Sequence, residues 1–143
     1  MNLYKNILVA VDLSQDSAAI LDKARGISKA YGAQLNLVHV IEPIAISYAI
    51  EVSSIDVEGL HQEATEQAKQ SLIEMGNNIH IPEARMHILL GQPAREIKEL
   101  ANEIMADLII MGNHSRHGWE LLFSSTSTGV AHGVNCDLLT VHI

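Results

Sequence analysis

Residues 7–12 read ILVAVD, and this short stretch decides the fold. Five apolar residues follow one another without alternation, which is typical of a strand that helices cover on both faces of a parallel sheet. Asp12 then places a carboxylate at the point where the strand ends. The stretch therefore predicts a buried first strand with a polar group at its carboxyl end.

Four further apolar runs of strand length follow along the chain. They cover residues 35–40, 84–90, 108–111 and 138–143. Segments of helical periodicity separate them. The order of elements is β-α-β-α-β-α-β-α-β, which predicts a three-layer α/β fold with a five-stranded parallel sheet and helices on both faces.

The predicted helices carry recognisable start and stop residues. In the first helix, apolar residues at helical spacing lie between Ser14, a predicted N-cap, and Gly32, a predicted stop. Gly76 is predicted to end the second helix, which covers about 57–75. The third helix begins near Pro93, a residue favoured in a first turn, and the fourth covers roughly 119–132.

The chain shows no boundary that would divide it. Its 143 residues suit one domain, residues 1–143, and the stretch 41–56, which contains Pro43, is read as a long connection after the second strand. No apolar run approaches the length of a membrane span or of a signal-peptide core, so we expect a cytoplasmic protein without a membrane partner.

Composition narrows the classes of partner. A net charge of −8 with only nine Lys and Arg residues argues against a nucleic-acid partner. Cys136 is the single cysteine, so an intramolecular disulfide is impossible, and we read it as a packed small residue. The histidines lack metal-ligand spacing, which predicts structural or surface roles and no metal site.

Chemistry is expected where the carboxyl ends of parallel strands meet. Asp12 follows the first strand, residues 41–42 the second and Gly112 the fourth. Asp12 has two readings: its carboxylate hydrogen-bonds a ligand such as a ribose, or it accepts N–H groups in its own turn or caps the next helix.

The stretch after the fourth strand, residues 110–126, is rich in small and polar residues. Gly112 would let the backbone approach a phosphate closely, and the hydroxyl cluster 124–128 could supply an anion site at a helix start. The alternative is an N-cap followed by a polar turn. The chain has no GxxxxGK[ST] loop and no GxSxG elbow, which excludes the chemistry of those two motifs.

Four segments in order resemble the universal stress protein family over essentially the whole chain. They are residues 5–14, KNILVAVDLS; residues 37–42, LVHVIE; residues 91–97, GQPAREI; and residues 107–114, DLIIMGNH. The resemblance implies a Rossmann-like, adenine nucleotide alpha hydrolase-like fold. It also implies a homodimer paired through the last strand, Leu138 to Ile143.

The same resemblance implies a nucleotide site for ATP or AMP in those members that carry Gly-x2-Gly, about nine residues, then Gly-Ser or Gly-Thr. Here Ser115 replaces the second glycine and a serine replaces the third. A non-glycine residue costs of order 1 kcal/mol if it must adopt positive φ, although serine can donate its own hydrogen bond. The residues carried over by resemblance are Asp12, Val40, Met111, Gly112, Ser115, Ser124, Ser125 and Thr126.

Three functions remain open at this stage. The first is a non-catalytic stress-response dimer that responds to nucleotide and binds protein partners not identifiable from the sequence. The second is a slow ATPase, for which only Asp12, His114 and His117 could act near a γ-phosphate. The third is a structural dimer that has lost its ligand.

Overall fold

The sheet has the predicted parallel architecture. The computed structural model describes residues 3–43, 57–113, 129–131 and 133–143. Its five strands pair in parallel in the order β3-β2-β1-β4-β5. Their bounds are β1 Asn6–Ala10, β2 Gln34–Ile41, β3 Met86–Leu90, β4 Leu108–Gly112 and β5 Asp137–Val141.

Among the described residues, three long helices lie between these strands. They are α1 Ser17–Tyr31, α2 Val57–Asn78 and α3 Pro93–Glu103, with a short 3₁₀ helix at Glu83–Arg85. Residues 129–131 are helical, inside the predicted fourth helix. The remainder of that prediction, residues 119–128 and His132, lies outside the described residues.

The helices form layers on the two faces of the sheet. Ile20 and Leu21 of α1 pack with Leu72 of α2 against one face. Ile97 and Leu100 of α3 pack against the other. The central strands β1 and β4 are buried, whereas the outer strands β3 and β5 expose part of their side chains. The three-layer prediction is therefore confirmed.

The helix ends agree only partly with the sequence. Gly32 ends α1 in the left-handed conformation (φ 67°), and Pro93 occupies the first turn of α3, both as predicted. The prediction that Ser14 caps α1 is wrong, because the cap position is Asp16. The main-chain carbonyl of Ser14 instead accepts a hydrogen bond from Ser17 N in the turn before the helix.

The predicted end of α2 at Gly76 is also wrong, since the helix continues to Asn78. Gly76 lies where the helix crosses β3, and an added Cβ would overlap the thioether of Met86. The glycine thus permits close packing against the sheet. Within the described residues, no helix combines the length and apolar character needed to cross a membrane.

Candidate functional site

The strand register places two of the predicted site residues, Asp12 and Val40, at one level of the sheet, and Gly112 one residue before that level. Ala10 lies opposite Val38, so Asp12 follows at the level of Val40. Val9 lies opposite Ile110, so Asp12 is also level with Asn113, the residue after Gly112. Between β1 and β4 the strand order reverses direction, and such a switch point is where open α/β sheets bind ligands.

Asp12 occupies a tight turn between β1 and α1. Its Oδ1 accepts hydrogen bonds from Ser14 N at 2.9 Å and from Ser17 Oγ at 3.1 Å. Leu13 between them has φ 64°, a conformation that costs a non-glycine residue about 1 kcal/mol. The turn therefore fixes the half-buried carboxylate at the switch point.

Val40 and Met111 direct their side chains into the core on the α3 face of the sheet. Both side chains are almost completely buried among residues such as Leu8 and Ile97. A ligand at the strand ends could therefore meet only the main-chain atoms of these two residues.

Gly112 is buried and closely packed at the end of β4. A Cβ at this position would lie 2.7 Å from Ile143 Cδ1 and 3.0 Å from Ile20 Cδ1. The next residue, Asn113, accepts a hydrogen bond from Ile143 N at Oδ1 (3.3 Å), and its Nδ2 lies 3.1 Å from His142 Nδ1. The residues after β5 are thus tied to the start of the loop that follows β4.

His39 lies beside Asp12 at the switch point, whereas the sequence analysis assigned it only a structural or surface role. Its Nδ1 lies 2.8 Å from the carbonyl oxygen of Val11, immediately before Asp12. Burial lowers the pKa of His39, while the hydrogen bond to Val11 and the charge of Asp12 act in the opposite direction. The only available signal was a titratable residue within an otherwise apolar strand that ends at the switch point.

Glu42, just after β2, adds a second carboxyl group at this edge of the sheet. It is half-buried, and burial raises its pKa. Two acidic side chains at the strand ends favour ligand groups that donate hydrogen bonds, such as sugar hydroxyls.

The predicted phosphate contacts at Ser115, Ser124, Ser125 and Thr126 lie outside the described residues, as do His114 and His117. Within residues 3–43, 57–113, 129–131 and 133–143, no group of three His, Cys, Asp or Glu side chains could hold a metal ion. Cys136 is half-buried, and burial raises the pKa of its thiol, which does not favour a nucleophile.

Comparison with known proteins agrees with the fold and extends over the whole chain. The model of the universal stress protein family matches residues 3–142. Universal stress protein A homolog 1 of Coxiella burnetii is 35% identical over 138 residues, which cover 96% of both chains.

Two solved structures have similar folds at lower identity. One is a universal stress protein in complex with cAMP, with a TM-score of 0.67 and 24% identity, covering 97% of both chains. The other is the universal stress protein of Archaeoglobus fulgidus in complex with dAMP, with a TM-score of 0.65 and 22% identity over 96% of this chain and 98% of that one. The family match and the curated relative together show that this chain belongs to the universal stress protein family.

Proposed function

We propose that this chain is a non-catalytic, cytoplasmic stress-response protein that binds an adenine nucleotide at the switch point and acts as a homodimer. The observation that carries the proposal is the fixed position of the Asp12 carboxylate. Two hydrogen bonds within its turn hold the carboxylate, and the strand register places Asp12 level with the main chain of Val40. Such a carboxylate suits a ribose, whose hydroxyl groups donate hydrogen bonds.

The complexes of two similar folds with cAMP and dAMP support an adenine nucleotide as the ligand class. Both ligands contain an adenine base, a sugar and a single phosphate group. We therefore give AMP priority over ATP as the first ligand to test.

The dimer in this proposal pairs through β5 and the residues after it. β5 lies at the edge of the sheet, where Leu138 and Leu139 are only half-buried. An unpaired strand edge presents main-chain groups that another strand can bind.

Thermal unfolding with AMP, ATP and cAMP tests the ligand. A ligand at one hundred times its dissociation constant stabilises the folded state by about 2.7 kcal/mol, so we expect the melting temperature to rise by several degrees. Asp12→Asn keeps an acceptor for Ser14 and Ser17 but replaces the carboxylate by an amide, and it should abolish most of the rise.

Asp22→Asn is the matched control, because Asp22 is exposed on α1 and the charge change is the same. It should leave the rise intact. An unchanged melting temperature of the wild-type chain at millimolar nucleotide would refute the ligand and favour a structural dimer. Equal rises in wild type and Asp12→Asn would place the ligand elsewhere.

A further inference from the structure

The ladder of main-chain hydrogen bonds between β1 and β2 is one bond shorter than its regular spacing would allow. Gln34 N donates to the Lys5 carbonyl at one end of the pair, and Val11 N donates to the Val38 carbonyl at the other. The same residue offset that pairs Gln34 N with the Lys5 carbonyl would pair Val40 N with the Val11 carbonyl. Strand pairing nevertheless ends at Ala10 and Val38.

The His39 ring takes the place of the missing ladder bond. Because the Val11 carbonyl can only accept, His39 Nδ1 must carry the proton in their 2.8 Å contact. The structure gives the N–H of Val40 no acceptor among the described residues. The N–H and C=O of Val40 both point toward the β1 side of β2, at a level where β1 has already ended.

We propose that His39 is a positioning residue: by binding the Val11 carbonyl it ends the ladder and leaves the main-chain N–H and C=O of Val40 to pair with the edge of the nucleobase. This inference rests on the proposed nucleotide site, in which the main chain of Val40 meets the base, and adds which side chain keeps that main chain available. His39 itself need not touch the ligand.

The chemistry of the bases would make the main chain of Val40 selective for adenine. Adenine presents a ring-nitrogen acceptor beside an amino donor, which complements one N–H and one C=O on the same residue. Guanine presents two acceptors on the corresponding edge, so its O6 would face the Val40 carbonyl. We therefore expect AMP to bind at least tenfold more tightly than GMP.

Amide hydrogen exchange of the ligand-free protein tests the ladder. His39→Leu removes the ring donor, so the bond from Val40 N to Val11 should form and slow exchange of the Val40 amide at least tenfold. His39→Asn places an amide nitrogen near the position of Nδ1 and should retain the wild-type exchange rate. Equal Val40 protection in all three proteins, or a wild-type neutral ring protonated at Nε2 by ¹⁵N NMR, would overturn the inference.

Calorimetric titration with AMP and GMP then tests base selection. We expect His39→Leu to lose at least tenfold in AMP affinity and most of its preference over GMP, while His39→Asn retains both. If AMP binds equally well to wild type and His39→Leu, the positioning role is wrong although the proposed function stands. If wild type binds neither nucleotide, the proposed function fails and base selection fails with it. Hydrogen exchange then still tests whether His39 ends the ladder between β1 and β2.

Discussion

Two serines of the β1–α1 turn show how differently the same residue type can contribute to stability. Ser17 is fully buried and its hydroxyl donates to Asp12 Oδ1. Ser14 is also buried, but its Oγ has no hydrogen-bond partner within the described residues. A buried hydroxyl without a partner costs about 1–3 kcal/mol of desolvation, whereas a satisfied one stabilises the fold by about 1 kcal/mol.

We predict that Ser14→Ala raises the free energy of unfolding by about 1 kcal/mol, because it removes an unsatisfied polar group. Ser17→Ala should lower that free energy by about 1 kcal/mol, because it removes a hydrogen bond to Asp12. Urea unfolding of both variants provides the comparison, and each serves as the other's control. Similar losses in both would mean that the Ser14 hydroxyl is satisfied in solution.

At the scale of residues, the sequence predicts where a residue lies in the fold better than it predicts the contacts of its side chain. The position of Asp12 at a strand end followed from the apolar run before it, and the structure shows the internal turn that was one of its two readings. The role of His39 depends on where the β1–β2 ladder stops. Because that point is set by pairing between distant segments, no local pattern could reveal it.

At the scale of elements, glycines inside helices were harder to interpret than glycines at helix ends. Gly32 ends α1 because its left-handed conformation suits a residue without a Cβ. Gly76 looks the same in the sequence but lies within α2, where the side chain of Met86 fills the space beside it. The distinction depends on packing between α2 and β3, which helical periodicity does not contain.

Two Gly→Ala substitutions separate helix propensity from packing. Gly26 lies in α1 with no atom within 4 Å of an added Cβ, so Gly26→Ala should raise the free energy of unfolding by about 0.5–1 kcal/mol. Gly76→Ala gains the same propensity but displaces Met86, and we expect a net loss of about 1 kcal/mol. Denaturant unfolding measures both, and equal gains would show that α2 packs less tightly against β3 than the structure indicates.

At the scale of the whole molecule, alternating strands and helices predicted the layers because each βαβ unit must cross over the sheet in the same hand. Neither the site at the switch point nor the assembly follows as directly. Locating the site requires the strand register, and predicting the assembly requires knowing which main-chain groups face outward at β5. The structure supplies that direction, because Asp137 N and the Val141 carbonyl both bond toward β4. Leu138 and Thr140 therefore present their N–H and C=O groups to the open edge.

Thr140→Pro tests the proposed pairing through β5 without removing a bond to β4. Proline has no N–H and is tolerated on edge strands, so the substitution deletes one outward donor per chain while the β4–β5 ladder remains. Two lost hydrogen bonds per dimer, at about 1 kcal/mol each, should weaken dimerisation roughly thirtyfold. Thr140→Val is the control, because it keeps the N–H and the β-branched shape.

Sedimentation velocity over a dilution series gives the dissociation constants, and circular dichroism checks that each variant is folded. We expect wild type and Thr140→Val to be dimers at concentrations where Thr140→Pro is mostly monomeric. Equal dimerisation of the two variants would place the interface away from this edge. A monomeric wild-type chain would remove dimerisation from the proposed function. Since each chain carries a net charge of −8, added salt should strengthen a true dimer by screening the repulsion between its halves.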